Sequence, residues 1–443
     1  MFLPGAAERV PFPTGRAAIL LVAGAAMALA AMGSGASLSL VLAVDAAFLI
    51  LFLADAARAP GPESVRAVRR VREPLSAFSP NAVSVRVESA STRPLGLLAA
   101  DAPPASFDSA GHRAALHLPA AGEAMLDYEV WPRARGHAAF GDLHLRATGP
   151  FGLAARQWTV TLAHEVRVYP DLRGLASLPG ATRPGAGRAR ARGHREGREF
   201  ASLRTYAPGD DVRSIDWKAT ARRGGPVVRE WQPERNQTVW LLLDCGRHLS
   251  ARLSDGRVKL DHAVDAALAL ARAAATRGDR AGAVLFGAEV GRVVPPRSGR
   301  SQLAPLADAL HLAEARVEES DYAAAFDVLD ARQRRRALVV VFTDLADPDT
   351  SALLLARAVQ LRRRHLVLVA AVADSEIADA ARARPRDAGE AFVRAAAESI
   401  LEEREQAAAR LLSAGVRVES VPARELAAAV VARYAQVKTR GEL

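Results

Sequence analysis

At 443 residues the chain is long enough for two or three domains, each burying its own core, and a single domain is not expected. The net charge of +10 is carried almost wholly by arginine, with lysine only at Lys218, Lys259 and Lys438, so basicity by itself is weak grounds for a nucleic-acid partner. One cysteine, Cys245, excludes an internal disulfide framework and a four-cysteine zinc site, and it fits a reducing compartment for most of the chain.

Two apolar stretches open the chain: AAILLVAGAAMALAAMG (17–33) and LSLVLAVDAAFLILFLA (38–54), joined by the charge-free SGAS. Each approaches the roughly 17–25 apolar residues that a membrane-crossing helix needs. A cleaved secretory signal explains only the first stretch, whereas a hairpin of two spans explains both. Residues 1–60 are therefore expected to form a transmembrane helical hairpin. Asp45 sits inside the second stretch, where a carboxylate either faces a partner helix or water, or is tolerated near a helix end. Arg9 and Arg16 precede the hairpin and Arg58, Arg66, Arg69, Arg70 and Arg72 follow it, which predicts an inner-membrane protein with both termini and its bulk in the cytoplasm.

From about residue 80 the pattern changes to short alternating runs such as AVSVRVESA (82–90), AMLDYEV (124–130) and TVTLAHEVRVYP (159–170), separated by Pro, Gly and Asp clusters. Residues 75–172 are expected to form a small antiparallel β-sandwich with no catalytic feature. Residues 173–236 follow as a linker and a charged motif. The run PGATRPGAGRARARGHREGREF, from residue 179, is rich in glycine and arginine and lacks the interleaved aromatics that stack on bases, so it reads as a solvated linker.

Within YAPGDDVRSIDWKATAR (206–222), Pro208-Gly209 suits a turn. Asp210 or Asp211 suits the N-cap of a short helix on which Val212, Ile215 and Ala219 share a face. Gly224-Gly225 would end that helix, and PVVREW (226–231) would follow as a strand. The carboxylates are then expected to cap and to pair with Arg204, Arg213, Lys218 and Arg222. A rival reading takes Asp211 with Asp216-Trp217-Lys218 as a nuclease-like metal site. Such sites bring two carboxylates to one metal from separate strands, which five residues on one helix do not readily do.

Residues 237–443 alternate apolar strands, among them TVWLLLDCG (238–246), ALVVVFTDL (337–345) and LVLVAAVAD (366–374), with amphipathic helices. That pattern predicts a doubly wound α/β domain with a parallel sheet covered on both faces. No GxGxxG or GxxxxGK[ST] occurs at a strand-to-helix junction, so the chain offers no phosphate loop. Lone histidines such as His248 and His262 have no matched base or nucleophile and read as surface or core residues.

Asp244 closing one strand and Thr343-Asp344 closing another resemble a von Willebrand factor A domain, whose metal-ion-dependent adhesion site uses an Asp-x-Ser-x-Ser loop. Here that loop reads Asp244-Cys245-Gly246-Arg247-His248. Glycine and histidine stand in the serine positions, which leaves Asp244 and Asp344 as a degenerate metal pair. No cofactor is expected, magnesium on these two aspartates being the weak alternative. The stretch REFASLRTYAPGDDVRSIDWKATARRGGPVVRE, from residue 198, is similar to the signature of the bacterial family of unknown function numbered 58, and the likeness extends over nearly the whole chain. The resemblance implies a non-enzymatic, membrane-anchored adaptor working with a MoxR-type AAA+ ATPase and a client protein, without nucleic acid. Arg198, Tyr206, Asp210, Asp211, Arg213, Asp216, Trp217 and Lys218 would form its partner-binding signature. A metal-dependent hydrolase using the aspartates and a nucleic-acid binder using the arginine linker are the other open classes.

Overall fold

The computed structural model describes residues 11–33, 38–171, 198–208, 210, 212, 215–233, 236–345 and 348–443. Two compact units make up the chain, Met1–Val168 and Tyr169–Leu443.

In the first unit β1 (Phe12–Pro13), α1 (Gly15–Gly33) and α2 (Leu38–Arg58) precede eleven further strands. These are β2 (Val65–Val71), β3 (Leu75–Ser76), β4 (Asn81–Ser89), β5 (Leu95–Ala100), β6 (Phe107–Ala110), β7 (Arg113–Leu118), β8 (Glu123–Pro132), β9 (Gly136–Phe140), β10 (Leu143–Thr148), β11 (Ala154–Val160) and β12 (His164–Tyr169). They form three sheets, ordered β1-β11-β10-β5-β7, β2-β4-β8-β6 and β3-β12-β9. Strict alternation explains why: in β4 the residues Val83, Val85 and Val87 point inward while Ala82 and Glu88 face out. A period of two places every apolar side chain on one face. Those valines share a single core with Leu97, Leu126, Leu143, Leu145 and Trp158 from the other strands, so the sheets pack face to face.

The expected membrane hairpin is corrected here. Helices form over both apolar stretches, yet among the described residues no helix is long and apolar enough to cross a membrane. The charge-free part of α1 is residues 17–33, short of the roughly 20 residues a span ordinarily takes. In α2 Asp45 and Asp55 leave residues 46–54 as the longest uncharged run. The last turns of α2 are also committed to the β-unit. Asp55 is fully buried, and its carboxylate accepts backbone N–H bonds from Phe151, Leu153 and Ala154, each at 2.7 Å. The inner-membrane placement with two spans falls with the hairpin. Ile19, Leu21, Val22, Leu42, Leu49 and Ile50 of the two helices are exposed.

The second unit begins with a two-stranded ribbon, β13 (Arg198–Thr205) and β14 (Val227–Pro233), which encloses the short helix α3 (Trp217–Arg223). There follow β15 (Thr238–Asp244), α4 (Lys259–Thr276), β16 (Arg280–Phe286), β17 (Val290–Ser298), α5 (Leu303–Leu310), α6 (Tyr322–Arg332), β18 (Leu338–Thr343), α7 (Pro348–Arg362), β19 (Leu366–Ala373), α8 (Ser375–Arg382), α9 (Ala388–Ser413), β20 (Arg417–Pro422) and α10 (Leu426–Arg440). One six-stranded sheet runs β17-β16-β15-β18-β19-β20. All pairs are parallel except β16 with the edge strand β17. Strand residues alternate between two cores. Val239, Leu241 and Leu243 meet α4, α5 and α10, while Trp240 and Leu242 meet α6 and α7. Burial on both faces is why these strands read as continuous apolar runs. The neighbouring parallel strands β15 and β18 lead to helices on opposite faces, α4 and α7, which makes their carboxyl ends the place where an open sheet of this kind leaves a crevice.

Candidate functional site

Two constellations gather the residues singled out in the sequence. The first is the segment between β13 and β14. The ribbon pairs Arg204 with Val228 and Thr205 with Val227, and the Tyr206 amide donates to the Pro226 carbonyl at 2.9 Å. The Asp216 amide donates to the Val227 carbonyl at 2.8 Å, bringing the start of α3 back onto the second strand. Asp216 is the N-cap of α3: its carboxylate accepts the amides of Lys218 (3.0 Å) and Ala219 (3.1 Å). Gly224 ends the helix at φ +70°, a left-handed position that glycine takes without steric cost.

The expected cap at Asp210 or Asp211 therefore shifts to Asp216. Asp210 has another task. Its carboxylate receives both terminal nitrogens of Arg204, at 2.7 Å each, and the Ala207 amide at 2.9 Å. With the helix starting only at residue 217, the expected apolar face is not built. Val212 lies outside the helix and is 58% exposed, while Ile215 bridges to Val228 of β14. Of the other signature residues, Tyr206 is half-buried, and Trp217, Lys218, Arg222 and Arg223 are exposed, Trp217 at 68%. Arg198 opens β13 with its side chain outside the description. Asp211 and Arg213 lie outside the described residues, as does most of the arginine-rich linker.

The second constellation is at the carboxyl ends of β15 and β18, where Asp244 and Asp344 stand. Each carboxylate has its own set of protein partners. Asp244 is wholly buried and surrounded by donors: the Gly246 amide at 2.9 Å, the Tyr322 and Thr343 hydroxyls at 2.6 Å each, and the Ser320 hydroxyl. Burial, and then the neighbouring Asp244 carboxylate, push the Tyr322 phenol well above its ordinary range, so it remains a donor. Asp344 is held by the Lys259 ammonium and by Arg404, both at 2.7 Å, and accepts the Leu345 amide at 2.7 Å. Lys259 also stands 4.0 Å from Asp374, the N-cap of α8.

A magnesium ion does not fit this donor set. Magnesium wants near-octahedral oxygens, and here the oxygens of Asp244 are taken by four protein donors while Asp344 already faces two cations. The place of the first missing serine is filled as well. A Cβ on Gly246 would lie 2.1 Å from the Ser320 hydroxyl oxygen and 2.8 Å from the Glu318 carbonyl. Among the described residues, no group of three or more His, Cys, Asp or Glu is arranged to hold a metal.

Lys259, Arg404, Ser320 and Tyr322 escape the sequence reading. Ser320 and Tyr322 carry no signal in a single sequence, and Arg404 is one arginine among many. Lys259 does carry one: of only three lysines in an arginine-dominated chain, Lys259 and Lys438 are both buried in ion pairs, the latter with Asp279 at 2.9 Å. His248 and His262, singled out in the sequence, are both buried, and His262 stands 3.1 Å from Asp255.

Residues 202–410 match the model of a family described as protein of unknown function DUF58. An uncharacterized protein of Mycobacterium tuberculosis is 36% identical over 159 residues, 34% of this chain and 48% of the relative, so the chain spans about half the length of that relative. The uncharacterized protein YeaD of Bacillus subtilis is 43% identical over 44 residues, 10% of this chain and 11% of its own length. Among solved structures, a PapD-like domain of human CEP192 aligns with 25% of this chain and 90% of its own at 12% identity, with a TM-score of 0.19, too low to carry a structural argument. The family model begins inside β13, takes in the ribbon, α3 and the end of β15, and runs into α9, and with the mycobacterial relative it supports assignment of residues 202–410 to DUF58.

Proposed function

We propose that the DUF58 segment is a non-enzymatic protein-docking module whose contact element is α3. One observation carries this reading. Of the described carboxylates of the signature, Asp216 is spent on capping α3 and Asp210 on Arg204 of the ribbon, while Trp217 is left 68% exposed beside exposed Lys218, Arg222 and Arg223. An aromatic side chain flanked by cations is the usual composition of an interface anchor, and it fits an acidic partner surface. A hydrolytic site needs carboxylates free to hold a metal or move a proton, and Asp210, Asp216, Asp244 and Asp344 are each engaged by protein donors.

The partner that the family resemblance implies is a MoxR-type AAA+ ATPase acting with a client protein. The test is capture of such an ATPase from the source organism by the full chain and by Trp217→Ala. Retained melting temperature with capture reduced at least about tenfold supports the docking role of α3. Equal capture by both proteins, or magnesium-dependent hydrolysis of a phosphoester that Asp216→Ala abolishes, would overturn it.

A further inference from the structure

We infer that Lys259 is the resident cation of the sheet's carboxyl end, a covalently attached substitute for a divalent ion. Lys259 opens α4 directly below the strand ends, and only 3% of it is exposed. An ammonium at the first turn of a helix lies at the positive end of the macrodipole, which disfavours it. A long, rotamer-rich cation buried there is retained only where carboxylates compensate both the desolvation and the dipole. Asp344 at 2.7 Å and Asp374 at 4.0 Å supply that compensation from two adjacent parallel strands, and Arg404 closes the group from α9 at 2.7 Å from Asp344. Two cations against two carboxylates leave the cluster without net charge. The neighbouring Asp244 carboxylate is satisfied by hydroxyl and amide donors instead, so among the described residues nothing at this end of the sheet calls for a mobile ion. The point where a doubly wound sheet ordinarily takes its ligand is thereby loaded from within and stays loaded at any free metal concentration.

This inference does not depend on the docking role of α3, since it involves no residue of that helix. It is tested on the full chain by thermal melting and by manganese binding. The parent should melt at the same temperature in EDTA, magnesium or manganese, and manganese titration should show no site lost in Asp344→Asn. Lys259→Met, which keeps the length but removes the charge, should lower the melting temperature by about 6 °C or more. Lys259→Ala should be restored in part by about 50 mM methylammonium and not by tetramethylammonium at equal ionic strength, because only a small cation fits the vacated place. A parent stabilised by manganese through Asp344, or a Lys259→Met protein as stable as the parent, would overturn the inference. If both lysine variants fail to fold, the manganese measurement on the parent still decides it.

Discussion

Asp216 and Trp217 are adjacent in sequence and do unlike work. The first turns its carboxylate inward to two amides of α3, and the second turns its ring to solvent. Asp216→Ala should cost about 0.5–2 kcal/mol of stability, as loss of an N-cap does, while Asp210→Ala, which breaks a pair with a half-exposed arginine, should cost about 1 kcal/mol or less. Chemical denaturation of the two variants beside Trp217→Ala, which should match the parent, checks that order. Titration adds a second test at this scale. His262 is buried, and desolvation first, then Arg257, lower its pKa from the usual 6.5, so folding favours the neutral ring. The unfolded chain therefore binds the proton more readily, and the contribution of His262 is intact above pH 6.5 and is lost as pH falls through its lower folded value. His262→Gln should flatten the loss of stability below about pH 6.5, read from melts at pH 5 to 7.

Gly246 shows how an element can be fixed by what its neighbour occupies. Restoring serine there would not rebuild an adhesion loop, because the hydroxyl of Ser320, just ahead of α6, already fills the volume. Gly246→Ser should destabilise by about 1–3 kcal/mol through overpacking, and Ser320→Ala in the same chain should recover part of that, a coupling that a double-mutant cycle measures. The loop was legible as degenerate from Gly246 and His248 alone. Its replacement by Ser320, Tyr322 and Lys259 was not, since those residues meet Asp244 and Asp344 only through the folding of distant segments. The strands were read well where alternation or continuous apolar runs fixed the period, as in β4 and β18. The cap of α3 was misplaced because three aspartates within seven residues are equally good caps by type, and only the return of residue 216 to β14 selects among them. The N-terminal helices were found, but apolarity alone hid the use made of Asp55 as an acceptor for the loop before β11.

At the scale of the whole molecule, the formal charge of +10 sets how it meets other macromolecules. Capture of an acidic partner by α3 should weaken as ionic strength rises from about 50 to 300 mM, and Lys218→Glu/Arg222→Glu should lose most of that dependence. Salt-independent capture would argue that Trp217 acts without the cations beside it. The same chain carries an open six-stranded sheet, and an open sheet has edges. At one of them β17 runs antiparallel to β16 with register shifts along the pair, and it places Pro295 and Pro296 in succession between Arg292 and Arg297. The two prolines leave successive positions of β17 without an amide donor, the shifts bend the ladder, and the arginines make close stacking of identical edges repulsive. A second molecule thus finds no continuous template there on which to add a strand, so this edge of an apolar sheet is guarded against fibrous self-association by four side chains at its border.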